Sequence, residues 1–150
     1  MERYTLNKNA EGYTDLTALE GIKRADKGKT NKPKTTEAQE QKSLIEWAKW
    51  QEKKYPELKL LYHCPNGGTR NKMEAANLKR QGVKAGVPDL FLPVPRGNSH
   101  GLFLEMKVGR NKCTDNQKKW IRELINQNYE VKVCYSAEEA IQIIKRYLGI

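Results

Sequence analysis

The 150-residue sequence predicts an α/β fold of the α+β kind, a mixed β-sheet flanked by helices. Three observations carry this. Segments with helical periodicity alternate with short apolar runs in the order helix, strand, short helix, two strands, helix, strand, helix. Two neighbouring apolar runs, DLFLPV and GLFLEMKV, are joined by the turn-like PRGNSH, which is consistent with a hairpin. A chain of this length also buries roughly two-thirds of its unfolded surface, enough for one domain with a core.

Residues 1–33 are polar and basic without a sustained period, so they read as a flexible N-terminal arm, and residues 34–150 as the folded domain. From Thr35 to about Lys54 the pattern is helical, with Thr35 or Thr36 as cap, Glu37 and Glu40 in the first turn and Pro56 beyond the end. Glu37, Gln41, Leu44 and Ala48 share one stripe of this helix, Glu40 lies beside it, and Glu46 points to solvent. Leu58–Cys64 has the content of a strand, and the turn-rich PNGGTR follows it. Lys72–Gln81 predicts a short basic helix closed by Gly82. Asp89–Val94 and Gly101–Val108 are the hairpin strands, with Pro93 and Pro95 placing the end of the first at an edge or outside the ladder. Thr114 and Gln117 form a capping-box pattern for a helix to about Asn126, whose apolar face is Trp120, Ile121, Leu124 and Ile125. Glu130–Tyr135 is a strand, and Ser136 caps a last helix to about Leu148.

Lys and Arg number 28 against 18 Asp and Glu, a net charge of +10 that draws polyanions, nucleic acid first among them. No run of residues reaches the length of a membrane span, and MERYTLNKNAEGYTDL lacks the apolar core of a secretion signal, so a cytoplasmic location is expected, in the host cell for a viral protein. Cys64, Cys113 and Cys134 fit neither a disulfide framework nor a zinc site and are expected to be reduced thiols. His63 and His100 have no metal-ligand spacing and read as structural or solvent-facing. Trp47, Trp50 and Trp120 are expected in a core or an interface rather than as base-stacking platforms.

In GLFLEMKVG the two-residue period of a strand sends Glu105 and Lys107 to one face and Leu104 and Met106 to the other. An isolated Glu-x-Lys is ordinarily a solvated ion pair. The signal gains weight from Asp89, which follows a proline at the mouth of the preceding strand and can converge on Glu105 across the hairpin. Two close carboxylates repel unless a cation lies between them, and their hard oxygens suit Mg²⁺ or Mn²⁺. Such an ion with a nearby lysine suits phosphodiester hydrolysis, which needs charge neutralisation and an activated water.

The sequence resembles the PD-(D/E)XK nucleases, and within them the virus-type replication-repair branch, VRR-NUC. The resemblance rests on VPD at Val87–Asp89 and EMK at Glu105–Lys107, and extends through TEAQEQ at Thr36–Gln41, PNGGTR at Pro65–Arg70, KAGVPDLFLP at Lys84–Pro93 and TDNQKKW at Thr114–Trp120. It covers roughly residues 35–148. It implies a restriction-endonuclease-like core of the αβββαβ type. It further implies that Asp89, Glu105 and the Met106 carbonyl hold the metal and that Lys107 is the catalytic lysine. A helical glutamate near the metal is also implied, Glu37 as the counterpart of the family's TE-type glutamate, with Glu40 as the alternative. Gln117 is similar to the family's glutamine that touches the site, and its capping role is the structural alternative.

Arg70, Lys72 and Lys84 before Asp89, and Arg110, Lys112 and Lys118 after Lys107, would bracket the acidic centre with a track for the phosphate backbone. PNGGTR would act as a loop of close approach to phosphate or as a tight turn. The resemblance implies a Mg²⁺- or Mn²⁺-dependent DNA endonuclease, a homodimer that cuts branched DNA such as four-way (Holliday) junctions. The alternatives are a nuclease of flaps, ends or single strands in viral replication or repair, and a nucleic-acid-binding module without catalysis.

Overall fold

The computed structural model describes residues 35–66 and 72–150. The N-terminal arm, the 67–70 portion of PNGGTR with Arg70, and the Lys72 side chain lie outside the described residues.

Among the described residues, four α-helices and four strands follow the expected order: α1 Glu37–Gln51, β1 Tyr62–His63, α2 Lys72–Arg80, β2 Leu90–Leu92, β3 Leu102–Met106, α3 Asp115–Asn126, β4 Glu130–Cys134 and α4 Ala137–Leu148. The sheet order is β1-β2-β3-β4. The first two pairings are antiparallel, with His63 opposite Leu90 and Leu90 opposite Leu104. The last is parallel, with Glu105 opposite Val133. A parallel pair cannot be closed by a tight turn, and α3 supplies the crossover.

The alternation of side chains on β3 divides the core. Leu102, Leu104 and Met106 face α1 and α4 and pack with Leu44, Ala48, Ala140 and Ile144, all buried. Phe103 faces α3 and packs with Ile121 and Val131, and its ring stacks on Phe91 at 4.1 Å. Gly101 allows this packing, because a Cβ there would come within 2.7 Å of the Phe91 ring.

Thr36 is the cap of α1, in a reciprocal box with Gln39. Leu44 and Ala48 are buried as the stripe requires, and exposed Glu46 pairs with Lys42 at 3.8 Å. Ser136 caps α4, whose C-terminal carbonyls are closed by left-handed Gly149. One expectation fails. Leu58–Cys64 is not a strand throughout: Pro56–Leu60 is a 3-10 turn, and only Tyr62–His63 pair. Pro56 presets the helical φ, and Leu58 and Leu61 are both buried while Leu60 is half exposed, a three-residue spacing that a strand cannot provide. The hairpin strands are also shorter than expected, β2 ending where Pro93 removes the next donor.

Trp47 is partly buried on the core, and Trp120 donates its indole N–H to Ala85 O at 3.1 Å, but Trp50 is 85% exposed and belongs to no core. The three cysteines are free. No helix among the described residues is long and apolar enough to cross a membrane.

Candidate active site

Glu105 on β3 and Lys107 just past its end point to the side that α3 covers, and neither is a solvated surface charge: Glu105 is 0% and Lys107 5% exposed. The Lys107 ammonium donates to Glu105 Oε1 and, at 3.1 Å, to the Met106 carbonyl. Gln117 Nε2 donates to the same Oε1, while its own Oε1 accepts the Thr114 N–H at 2.8 Å. Capping and contact with the site are thus one side chain's work, with the amide divided between them. Glu105 Oε2 is buried and has no hydrogen-bond partner among the described residues.

Asp89, immediately before β2, reaches across the hairpin. Its Oδ2 accepts the Met106 N–H at 2.8 Å, which places the carboxylate beside Glu105. Its Oδ1 accepts from Asn66 Nδ2 at 2.9 Å, and its main-chain carbonyl accepts the Cys64 N–H at 2.8 Å. His63 Nδ1 lies 2.8 Å from that carbonyl, on an exposed ring, which agrees with a structural histidine.

Both helical glutamates face inward, to different places. Glu37 lies 3.9 Å from the Lys107 ammonium and accepts from Asn111 Nδ2 at 2.9 Å. Glu40 accepts the Ala137 N–H at 2.7 Å and so satisfies the start of α4. It is Glu37 that joins the cluster. Asn66 and Asn111 are the residues sequence reasoning missed as parts of the site, since an asparagine in a turn-rich loop gives no sign of the carboxylate that it will meet.

Burial, and then the neighbouring Asp89 carboxylate, push the Glu105 carboxyl up to about 7 in spite of Lys107. Burial pulls Lys107 down, but its hydrogen bond to Glu105 and the surrounding carboxylates outweigh that, and its pKa is raised. The lysine is therefore a fixed cation. Burial and Asp89 push the Cys64 thiol up to about 11, and burial, then the Glu105 charge, also raise Cys113, so neither is an activated thiolate.

Lys84, Arg110 and Lys112 are exposed, as are Lys79, Arg80, Lys119 and Arg122. Lys118 is half-buried and pairs with Asp115 at 3.2 Å. The start of α3 is held against the segment before Asp89, where a Cβ on Gly86 would stand 2.9 Å from Asn116.

Among the described residues no three His, Cys, Asp or Glu side chains are grouped so as to hold an ion by themselves. Two adjoining carboxylates and a main-chain carbonyl are nevertheless a hard-oxygen set, and Mg²⁺ takes one or two carboxylates while keeping several waters. The unpartnered Glu105 Oε2 is an acceptor that such an ion would satisfy. The residues present fit a hydrated divalent cation.

A mixed sheet carrying two acidic residues and a buried lysine at the meeting of its antiparallel hairpin and parallel strand has the arrangement of a PD-(D/E)XK nuclease domain. The VRR-NUC domain family matches residues 32–138, and the chain belongs to that family. A solved structure described as a VRR_NUC domain protein is 34% identical, covers 78% of this chain and 91% of its own, and superposes with a TM-score of 0.66. No curated protein matches the chain. The family implies a nuclease-type function.

Proposed function

We propose that the chain is a Mg²⁺- or Mn²⁺-dependent DNA endonuclease that hydrolyses phosphodiester bonds. The observation that carries this reading is the buried Glu105 carboxylate, neighboured by the Asp89 charge, with one oxygen bonded to Lys107 and Gln117 and the other without a partner among the described residues. Asp89, Glu105 and the Met106 carbonyl would hold the ion, with Glu37 at the edge of the set. When bound, the ion supplies charge neutralisation at the phosphate and lowers the pKa of a coordinated water.

The protein's own groups do the rest. Lys107, cationic and held by Glu105 and Met106 O, places positive charge where the phosphorane's charge develops and orients the attacking water. Gln117 fixes the Glu105 oxygen that faces α3, so that the other stays directed to the ion. The exposed Lys84, Arg110 and Lys112, with half-buried Lys118, would form the track for the phosphate backbone. Contacts of this kind read backbone shape rather than base sequence, and the preference for branched DNA such as a four-way junction is what the family resemblance implies. A homodimer would set two such sites about a two-fold axis, and exposed Trp50, Leu60 and Tyr62 are apolar surface that an interface would cover.

The test is cleavage of matched four-way junction, flap, single-stranded and linear duplex DNA with Mg²⁺, Mn²⁺ or EDTA, comparing the native chain with Lys107→Ala. Metal-dependent junction cutting that the variant loses while still binding DNA is the expected result. Cutting of flaps, ends or single strands alone would replace the junction preference, and binding without any cleavage would leave a non-catalytic module. Gel filtration of the complex on DNA at a monomer's mass would remove the dimer.

A further inference from the structure

Two buried side-chain oxygens lack a hydrogen-bond partner among the described residues, Glu105 Oε2 and Asn66 Oδ1. Buried acceptors without partners are rare, because each forgoes its interaction with water. Both belong to residues that neighbour the Asp89 carboxylate. Asn66 bonds Asp89 Oδ1 through its amide nitrogen, and Glu105 directly precedes Met106, whose N–H holds Asp89 Oδ2. The orientation of the Asn66 amide follows from this bond, since the reversed amide would set its carbonyl oxygen against the carboxylate oxygen. Unused acceptor capacity therefore gathers around Asp89, whose two oxygens each already receive a donor from the protein.

Resting on the metal-dependent reading above, we propose that Asn66 is a positioning residue of the cation site. Its N–H fixes Asp89 Oδ1, and its carbonyl oxygen accepts from the water shell of the bound ion. The residue enters from the start of PNGGTR, directly after β1, so the first strand contributes to a centre otherwise built from α1, β2, β3 and α3. An aspartate at this place would supply the acceptor without the donor, and a leucine neither.

The experiment is titration of Mn²⁺ into the full metal-free chain without DNA, followed by calorimetry and by the loss of the free-ion paramagnetic signal. The native chain, Asn66→Ala, Asn66→Ser and Asp89→Asn are compared, with the melting temperature of each metal-free protein taken in parallel. Asn66→Ala is expected to bind Mn²⁺ about tenfold more weakly, the lower end of what loss of an outer-shell partner costs. Its metal-free melting should stay near native, and Asn66→Ser should recover part of the affinity because a hydroxyl can both donate and accept. Native affinity in Asn66→Ala overturns the proposal. So does an affinity loss that is equal in the two variants and tracks their loss of folded protein. If Asp89→Asn abolishes binding and Asn66→Ala does not, the metal site stands and only the role of Asn66 falls. If the native chain takes up no Mn²⁺, both fall together.

Discussion

The ammonium of Lys107, one residue past the end of β3, bonds to the Glu105 carboxylate two residues earlier in the chain, and both side chains are shut away from water. A buried ion pair contributes little net stability, because desolvation of both charges offsets their attraction, and removing one partner leaves the other uncompensated. The pair therefore reads as a functional arrangement. Lys107→Met is expected to lower the turnover of DNA cleavage by at least about a hundredfold, the usual scale for removing one preorganised charge-stabilising group. Single-turnover kinetics at saturating DNA check this, and a loss confined to DNA affinity would contradict it.

The raised pKa of Glu105 makes a prediction about stability. The carboxyl titrates near 4.5 when unfolded and near 7 when folded, so between these values the folded chain binds more protons than the unfolded one. The stabilisation from the protonated group is complete below about 4.5 and is lost as pH rises through about 7. Relative to Glu105→Gln, which stays neutral, the metal-free native chain should therefore lose melting temperature from pH 5 to pH 8. An unchanged difference across that range would show that the carboxyl ionises normally, and added Mg²⁺ should restore stability to the native chain alone.

Glu37 and Glu40, one turn apart, should separate activity from stability. Glu40→Ala removes the acceptor of the Ala137 N–H and should cost about 1 kcal/mol, in the range of a helix-cap deletion, with cleavage retained. Glu37→Ala removes the partner of Asn111 and the neighbour of Lys107, and should reduce cleavage while melting stays nearly native. Denaturant unfolding beside cleavage assays would show either pattern, and the reverse assignment would sink this one.

A similar division holds at α3. Thr114→Ala loses the acceptor for the Gln117 N–H and should destabilise by about 1 kcal/mol with modest loss of activity. Gln117→Ala loses both the cap and the bond to Glu105, and should reduce stability and turnover together.

Gly86→Ala tests the docking of α3 on the segment before Asp89. Gly86 has φ +89°, and a Cβ would lie 2.9 Å from the Asn116 main chain. Left-handed strain and overpacking together should cost roughly 2–4 kcal/mol. A melting temperature equal to the native value would show that the helix shifts freely to make room.

The sequence by itself determined what depends on neighbours along the chain. The period of two put Glu105 and Lys107 on one face of β3, the capping residues marked the starts of α1, α3 and α4, and prolines limited β2. The family motifs, each specific only in combination, marked the nuclease class. Only the tertiary structure decided what depends on contacts between distant segments. It replaced most of the expected first strand with a 3-10 turn, because Leu58 and Leu61 meet the core at three-residue spacing. It sent Glu40 to α4 and Glu37 to Lys107, though both lie near the same helical stripe, because the start of α4 packs beside one and β3 beside the other. It also brought Asn66 to Asp89 and buried Lys107, since burial is set by which helix covers the strand, and residue spacing along β3 contains no record of α3.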